Sequence, residues 1–350
     1  MIETKLVGYI GTYTKVKSEG IYTFTLDTKE GKITDVSLAA KLDNPTYLAI
    51  SDNKKYLYSV IKEGQQGGIA ALQIDNETGK LHLINSYVSD GAPPCHVSVD
   101  RKSSYLFSAN YHKGTVESYA VNQETGAILP PSSVIEHTGR GPDERQEKPH
   151  THFAGLTPDE KFVVAVDLGI DKIITYEWQN EGLMEKSSLA VKPGSGPRHI
   201  TFHPNGNYAY VMTEFSSEVL VLQYDTETGS FEQLQTVSTI PENFKENNQG
   251  SAIHISSDGR FVYAGNRGHD SIAIFKVNEE SGLLHFVNHT STEGNWPRDF
   301  SLDPTDKYIV ASNQESGTLA LFARDQETGE LTLLQKDIAV PEPVCVKFLN

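Results

Sequence analysis

One phrase recurs seven times along this chain of 350 residues. Each copy has a short run of β-branched or aromatic residues, an acidic or amide-rich turn, a glycine and a second apolar run, as in IAALQIDNETGKL and LALFARDQETGEL. The shared glycines are Gly31, Gly79, Gly126, Gly182, Gly229, Gly282 and Gly329, separated by steps of 48, 47, 56, 47, 53 and 47 residues. A period of about 50 residues with strand-like content is typical of a β-propeller with one four-stranded blade per repeat.

A second phrase alternates with the first and reads, for example, PPCHVSVDRKSSYLFSAN or GSAIHISSDGRFVYAGN. It holds a short alternating strand, a polar turn and a strand rich in Tyr, Phe and Val. The two phrases together supply four strands per repeat, which we name A to D. The chain opens with a B-like strand and closes with an A-like strand, PVCVKFLN, so we expect the C-terminal strand to complete the first blade and close the ring. The sequence thus predicts an all-β, seven-bladed β-propeller of four antiparallel strands per blade, as a single domain over residues 1–350.

Composition narrows the range of partners and compartments. The net charge of −16 argues against nucleic acid and anionic membranes as partners. No apolar stretch approaches the ~18 residues of a membrane span, and the first residues lack the basic and apolar regions of a signal peptide. The two cysteines, Cys95 and Cys345, begin equivalent strands of blades two places apart, so no disulfide is expected. A cytoplasmic location is the resulting expectation, and the oligomeric state stays open.

The predicted fold indicates where a site would lie. In a propeller the A strands line the central channel, and the D–A and B–C loops open on one face. Residues that start strand A or end strand B should therefore meet at the mouth of the channel on that face. The candidate site residues at these positions are Tyr13, His96, His150, His152, Asp167, Arg198, His199, Glu214, His254, Asn266, Arg267, Arg298 and Asn313.

Arginine is concentrated at the predicted mouth. Three of the eight arginines, Arg198, Arg267 and Arg298, fall there, and Arg145 in a long insertion is placed to reach it. Such a cationic, histidine-rich pocket in an acidic protein predicts a small anionic ligand, because arginine pairs well with carboxylate or phosphate. Arg198, Glu214 and Arg267 are charged residues that depart from the consensus of the repeat. A charged side chain in a narrow channel needs a partner of opposite charge.

A structural role is the alternative for several candidates. His96 and His254 can hydrogen-bond neighbouring A strands, and Asp167 precedes a Leu-Gly turn that it can organise. Four residues recur at matching blade positions, and repetition favours a structural role: Tyr13, Asn110, Asn266 and Asn313.

Several segments carry a resemblance to a known family. PHTHF, GSGPRHITFHPNG, HISSDGRFVYAGNRGHDSIAIF and NWPRDFSLDP resemble the seven-bladed lactonase family, which includes bacterial 6-phosphogluconolactonases and a fungal carboxymuconate cyclase, and the resemblance covers essentially the whole chain. It implies a seven-bladed fold and lactone chemistry without a metal or other cofactor. The residues proposed to react in the cyclase correspond here to His152, Arg198, Glu214 and Arg267, with His150 an open alternative to His152.

The function implied by this resemblance is hydrolysis of a small anionic sugar lactone, with 6-phospho-glucono-δ-lactone as the leading candidate. Glu214 or His152 would act as the base, Arg198 or Arg267 would face the oxyanion, and Arg298, Arg145 or His199 would hold the phosphate. Two alternatives stay open: a cycloisomerase that closes a carboxymuconate to its lactone, and a propeller that binds a ligand or protein without catalysis. No serine or cysteine lies in a nucleophile elbow, and no spacing resembles a zinc or calcium site.

Overall fold

The computed structural model describes residues 4–179 and 182–349, in which 28 strands form seven four-stranded antiparallel sheets. The first three strands are β1 (Lys5–Thr12), β2 (Gly20–Asp27) and β3 (Lys32–Lys41). Each later blade runs from its inner strand A to its outer strand D. Blade 2 has β4 (Leu48–Ile50), β5 (Tyr56–Glu63), β6 (Gln66–Ile74) and β7 (Leu81–Asp90), and blade 3 has β8 (His96–Val99), β9 (Tyr105–Asn110), β10 (Thr115–Val121) and β11 (Ile128–Glu136).

The remaining blades repeat this order after a short 3-10 helix (Glu144–Gln146). Blade 4 has β12 (Thr151–Leu156), β13 (Phe162–Asp167), β14 (Lys172–Gln179) and β15 (Gly182–Ala190). Blade 5 has β16 (Pro197–Phe202), β17 (Tyr208–Thr213), β18 (Glu218–Tyr224) and β19 (Phe231–Ser238). Blade 6 has β20 (Gln249–Ile255), β21 (Phe261–Arg267), β22 (Ser271–Val277) and β23 (Leu284–Ser291), and blade 7 has β24 (Pro297–Leu302), β25 (Tyr308–Asn313), β26 (Thr318–Arg324) and β27 (Leu331–Ala339).

The last strand, β28 (Pro343–Phe348), closes the ring as the sequence predicts. It pairs antiparallel with β1, so blade 1 has the order β28-β1-β2-β3. The seven-bladed, all-β prediction is therefore confirmed. No helix in the described part of the chain is long and apolar enough to cross a membrane.

The core lies between the blades. Seven clusters of buried apolar side chains each join two neighbouring blades, and one of them joins blade 7 to blade 1. In that cluster Val346 and Phe348 of β28 pack with Phe24 of β2 and Val310 of β25. Because every blade contributes to two such clusters, burial of the apolar surface is complete only in the closed ring.

The repeated glycines form the turns between strands C and D. In five copies the glycine N–H donates to the carbonyl of the Asp or Asn four residues earlier, at 2.8–2.9 Å. In the last copy Gly329 has φ +76°, and an added Cβ would lie 2.3 Å from Cδ1 of Phe261 in the preceding blade. The hydroxyl of Tyr263 in that blade donates to the Gly329 carbonyl at 2.9 Å. The turn therefore also fastens one blade to the next. Residues 180 and 181, in the fourth copy, lie outside the described residues.

Replacement of Gly329 by alanine tests this contact. We expect Gly329→Ala to lower the free energy of unfolding by roughly 2–4 kcal/mol, because the methyl group adds a collision with Phe261 to the strain of a positive φ. Gly206→Ala is the matched control: Gly206 has the same φ of +76° but no heavy atom within 4 Å of the added Cβ, so strain alone would cost about 1 kcal/mol. Urea unfolding measures both free energies. Equal losses of unfolding free energy in the two variants would contradict the packing role of Gly329.

Removal of residues 341–350 tests the closure. We expect this truncation to abolish cooperative unfolding, because it deletes the inner strand of blade 1 and exposes the apolar faces of blades 1 and 7. The measurement is thermal unfolding followed by circular dichroism and by tyrosine fluorescence. A truncated chain with the unfolding temperature of the full chain would show that β28 is not needed to hold the ring.

Candidate active site

In blades 4, 5 and 7 a β-bulge near the start of the inner strand turns one side chain toward the channel mouth. In β12 the register shifts between Thr151 and Phe153, so His152 is the extra residue. The same shift leaves Arg198 as the extra residue of β16 and Arg298 as that of β24. A bulge turns a side chain out of the normal alternation of a strand, which is why such features occur beside active sites. These three residues consequently face a common space.

Glu214 is held by two arginines at the bottom of this space. It directly follows β17, and its Oε2 lies 2.7 Å from Nη2 of Arg267 and 3.1 Å from Nε of Arg198. Each arginine also donates to a carbonyl of β20, Arg198 Nη1 to Ser251 and Arg267 Nη2 to Gly250, both at 2.7 Å. The two arginine side chains are 3% exposed and that of Glu214 is 13% exposed, so the carboxylate is the more open partner.

Electrostatics keep Glu214 ionised. Burial alone would raise the pKa of its carboxyl, but the charges of Arg267, Arg198 and Arg298 outweigh burial and hold that pKa below its usual value of 4.5. Burial and the neighbouring Arg267 lower the pKa of Arg198, to about 9. Two guanidinium groups thus pair with one carboxylate and a third acts on it from farther away, so the excess positive charge favours an anion or a developing negative charge.

Two histidines beside this cluster are neutral. Burial lowers the pKa of His152 well below 6.5, and the charges of Arg198 and Arg298 lower it further. Burial and Arg198 do the same for His199. The two rings contact each other with centroids 5.0 Å apart, and neither Nδ1 of His152 nor Nε2 of His199 has a hydrogen-bond partner among the described residues.

The cluster forms the floor of a cavity of about 630 Å³ that opens at the channel mouth. Its lining includes Tyr13, His152, Glu214, Arg267 and Arg298 from the predicted set. A narrow extension below it reaches Arg198 and His199 and shares Tyr13, His152 and Arg298 with the main cavity. The structure therefore brings together all four residues that the resemblance assigned to catalysis.

Two of the predicted histidines line the other end of the channel. His96 and His254 border a separate cavity of about 340 Å³. His254 Nε2 lies 3.4 Å from Oδ1 of Asp299, and the ring of His96 stands 5.6 Å from that of His199. They are thus one layer below the arginine cluster and do not line the main cavity.

His150 and Asp167 lie outside both cavities and stabilise blade 4. The ring of His150 stacks on Tyr111 at 4.1 Å, and its Nδ1 lies 2.8 Å from the Tyr111 carbonyl. Asp167 is fully buried and accepts hydrogen bonds from the backbone N–H of His150 and Gly169 at 2.8 and 2.9 Å. His137 Nδ1 lies 2.6 Å from its second oxygen. Of the two histidines in PHTHF, His152 is the one on the cavity wall.

The repeated asparagines fasten loops. Asn110 and Asn313 end strand B of their blades and Asn266 is the last residue but one, and each donates through Nδ2 to a carbonyl of the loop that enters its blade. The acceptors are Ala92 at 2.9 Å, Thr239 at 2.7 Å and Thr292 at 2.9 Å, respectively. Asn266 and Asn313 are fully buried and do not line the main cavity or its extension. This placement agrees with the structural role that is the alternative for residues recurring at matching blade positions.

Two lysines of the cavity were not among the predicted residues. Lys15 lies in the loop after β1, and Lys62 lies near the end of β5. When the repeats are aligned, Lys62 occupies the position that Tyr111 occupies in the next blade. The repeat pattern therefore contains the information needed to place Lys62 at the channel mouth. Arg145, in contrast, stacks on Phe215 with its Cζ 3.8 Å from the ring centroid and pairs with Asp143, away from the cavity lining.

Cys95 and Cys345 are both free, and burial raises the pKa of the Cys95 thiol to about 12, so it is not a ready nucleophile. No group of three His, Cys, Asp or Glu side chains in residues 4–179 and 182–349 is arranged to hold a metal ion.

Comparison with known proteins agrees with this architecture. Residues 7–348 match the family described as "Lactonase, 7-bladed beta-propeller". The chain is 57% identical over 347 residues to a 6-phosphogluconolactonase of Bacillus subtilis, covering 99% of both chains. It superposes with a TM-score of 0.92 on a putative 6-phosphogluconolactonase of Bacteroides fragilis (37% identity, 99% of both chains), and with 0.93 on a periplasmic gluconolactonase of Pseudomonas aeruginosa (31% identity, 99% of both chains). The chain belongs to the seven-bladed β-propeller lactonase family.

Proposed function

We propose that this protein hydrolyses 6-phospho-glucono-δ-lactone to 6-phosphogluconate. The name of the Bacillus subtilis relative supports the reaction, and the charge of the cavity supports an anionic substrate. The observation that carries the proposal is the pairing of Glu214 with Arg198 and Arg267 on the cavity floor. It combines one proton acceptor with positive charge in a buried place, which ester hydrolysis requires.

Arg267 and Arg298 face the reacting carbonyl in this proposal, because both line the main cavity. When water adds to the lactone carbon, negative charge develops on the carbonyl oxygen, and buried guanidinium groups stabilise it more strongly than water would. Arg198 lies below and holds the carboxylate of Glu214, so we assign it a positioning role.

Glu214 accepts the proton of the attacking water. Both arginines contact its Oε2, which leaves Oε1 available to the cavity. The low pKa makes Glu214 a weak base, but a lactone that also hydrolyses spontaneously needs only modest activation. The water oxygen bonds to the carbonyl carbon, the ring C–O bond breaks, and the proton held by Glu214 passes to the departing ring oxygen. Neutral His152 and Tyr13 are left to hydrogen-bond the substrate.

The two alternatives receive less support. A cycloisomerase acting on a carboxymuconate would use the same charged floor, but the relatives compared above have names of lactone hydrolases. A protein-binding propeller would present an apolar patch at its mouth, whereas this cavity is lined by charged and polar side chains. The cytoplasmic location, the absence of nucleic acid and membrane partners and the lack of a cofactor remain predictions from the sequence.

Glu214→Gln tests the proposed reaction. We expect kcat for 6-phospho-glucono-δ-lactone to fall by roughly 10²–10⁴-fold, because glutamine keeps the shape but can neither accept the proton nor balance the arginines. The measurement is a coupled assay for 6-phosphogluconate, corrected for spontaneous hydrolysis. Glu246→Gln, an exposed change in the loop before β20, is the control with the same loss of charge. Wild-type protein that gives no rate above the spontaneous one would refute the proposed function.

The protonation state of His152 is a second test. Since its pKa is lowered, the ring takes up a proton only at a pH below the usual range for histidine. NMR titration of the imidazole protons, assigned with His152→Gln, should give this residue a midpoint clearly below 6.5. A titration midpoint near 6.5 would contradict the neutral role.

A further inference from the structure

The wall of the main cavity carries positive charge well beyond the catalytic floor. Lys15 and Lys62 line this cavity together with Arg267 and Arg298. Lys15 comes from blade 1 and is exposed, while Lys62 comes from blade 2 and is half-buried. The cationic lining is therefore continuous from the buried arginines to a rim that solvent reaches.

Tyr13 connects the floor to Lys15. Nζ of Lys15 stands 4.0 Å from the centroid of the Tyr13 ring, and Cζ of Arg298 stands 5.5 Å from the same centroid. Cations approach aromatic rings favourably at such distances. One ring thus contacts both a cation of the floor and a cation of the rim, which limits how far apart the two charges lie.

The loop that carries Lys15 is fixed by hydrogen bonds. Glu342 accepts from the backbone N–H groups of Val16 and Lys17 at 2.9 and 3.2 Å, and its carbonyl accepts from the N–H of Tyr13 at 3.1 Å. On the other side, the N–H of Asn44 donates to the Thr14 hydroxyl at 3.1 Å. These contacts hold the backbone of Lys15 while its side chain remains available to the cavity.

Lys62 is presented from a second element that is tied to the same region. Its N–H donates to the carbonyl of Asp43 at 3.0 Å, and the hydroxyl of Thr14 donates to the carboxylate of that residue. Within the described residues no carboxylate oxygen lies within 4.0 Å of the charged nitrogens of Lys15, Lys62 or Arg298. The carboxylates of Asp43 and Glu342 accept from hydroxyl and backbone donors instead, so the lysine charges are left for a ligand.

We propose that Lys15 and Lys62 form the subsite for the phosphate of the substrate. This inference rests on the proposed function. It adds that the lactone carbonyl and the phosphate, at opposite ends of the sugar, bind at opposite ends of the cavity. The lactone carbonyl lies on the floor beside Arg267 and Glu214, and the phosphate lies at the rim. Lysine suits this task, since its ammonium acts as a point charge that a phosphate can meet from several directions.

The other candidates for phosphate binding fit the geometry less well. His199 is buried and neutral below the main cavity, and Arg145 is stacked on Phe215 outside its lining. Arg298 borders both the main cavity and the extension beneath it, close enough to lower the pKa of His152. It therefore belongs with the floor rather than the rim.

The test compares phosphorylated with unphosphorylated glucono-δ-lactone. We expect Lys15→Met combined with Lys62→Met to lower the ratio of kcat/KM for the phosphorylated over the unphosphorylated lactone by roughly 10- to 100-fold, mostly through a higher KM. Lys17→Met is the control: it removes one positive charge from the loop that carries Lys15, but Lys17 does not line the cavity. A ratio in the double variant that equals that of wild type and of Lys17→Met would overturn the inference.

Binding measured without turnover separates this inference from the proposed function. Calorimetric titration with 6-phosphogluconate and with gluconate reports the phosphate contribution even if the protein hydrolyses neither lactone. We expect wild type to prefer 6-phosphogluconate, with a preference that shrinks in the double lysine variant and as salt is added. An unchanged preference in that variant would refute the subsite, whereas a lysine-dependent preference without any turnover would refute only the proposed hydrolysis.

Discussion

The site depends on the β-bulge that opens the inner strands. A regular strand would alternate its side chains between the two faces of the blade, and both faces are packed against neighbouring blades. The extra residue in β12, β16 and β24 escapes this alternation and faces the channel. The repeat thus supplies equivalent positions in different blades, and His152, Arg198 and Arg298 occupy three of them with groups that bind or polarise an anion.

The two faces of the propeller have different tasks. On the face away from the site, the glycine turns fasten each blade to the one before it, as the contact between Gly329 and Phe261 illustrates. At the channel mouth, asparagines at the ends of B strands fasten the loops that carry the site. Because all seven blades contribute to the cavity lining, the geometry of the site requires a closed ring.

Much of this arrangement was accessible from the sequence. The period of the glycines predicts seven blades, and its phase correctly indicates that Arg198, Glu214 and Arg267 meet. The phase indicates which end of a strand a residue occupies, but it does not indicate which way the side chain points. For this reason the sequence left both a binding and a structural role open for Asp167, Asn266 and Asn313, whose side chains bind backbone groups and do not line the main cavity. Lys15 lies in a loop without a repeat signal, whereas Lys62 lies at the repeat position of Tyr111, near the end of β5, and could have been predicted from that position.

In this strongly acidic protein, one cavity carries a cluster of positive charges, and we propose that this cluster orients the substrate. The most direct test of this proposal is a crystal structure with the product 6-phosphogluconate bound. The account predicts that the carboxylate of the product contacts Arg267 and Arg298 beside Glu214, and that its phosphate lies between Lys15 and Lys62. Product bound in the opposite orientation, or in the cavity at the other end of the channel beside His254 and Lys347, would contradict it.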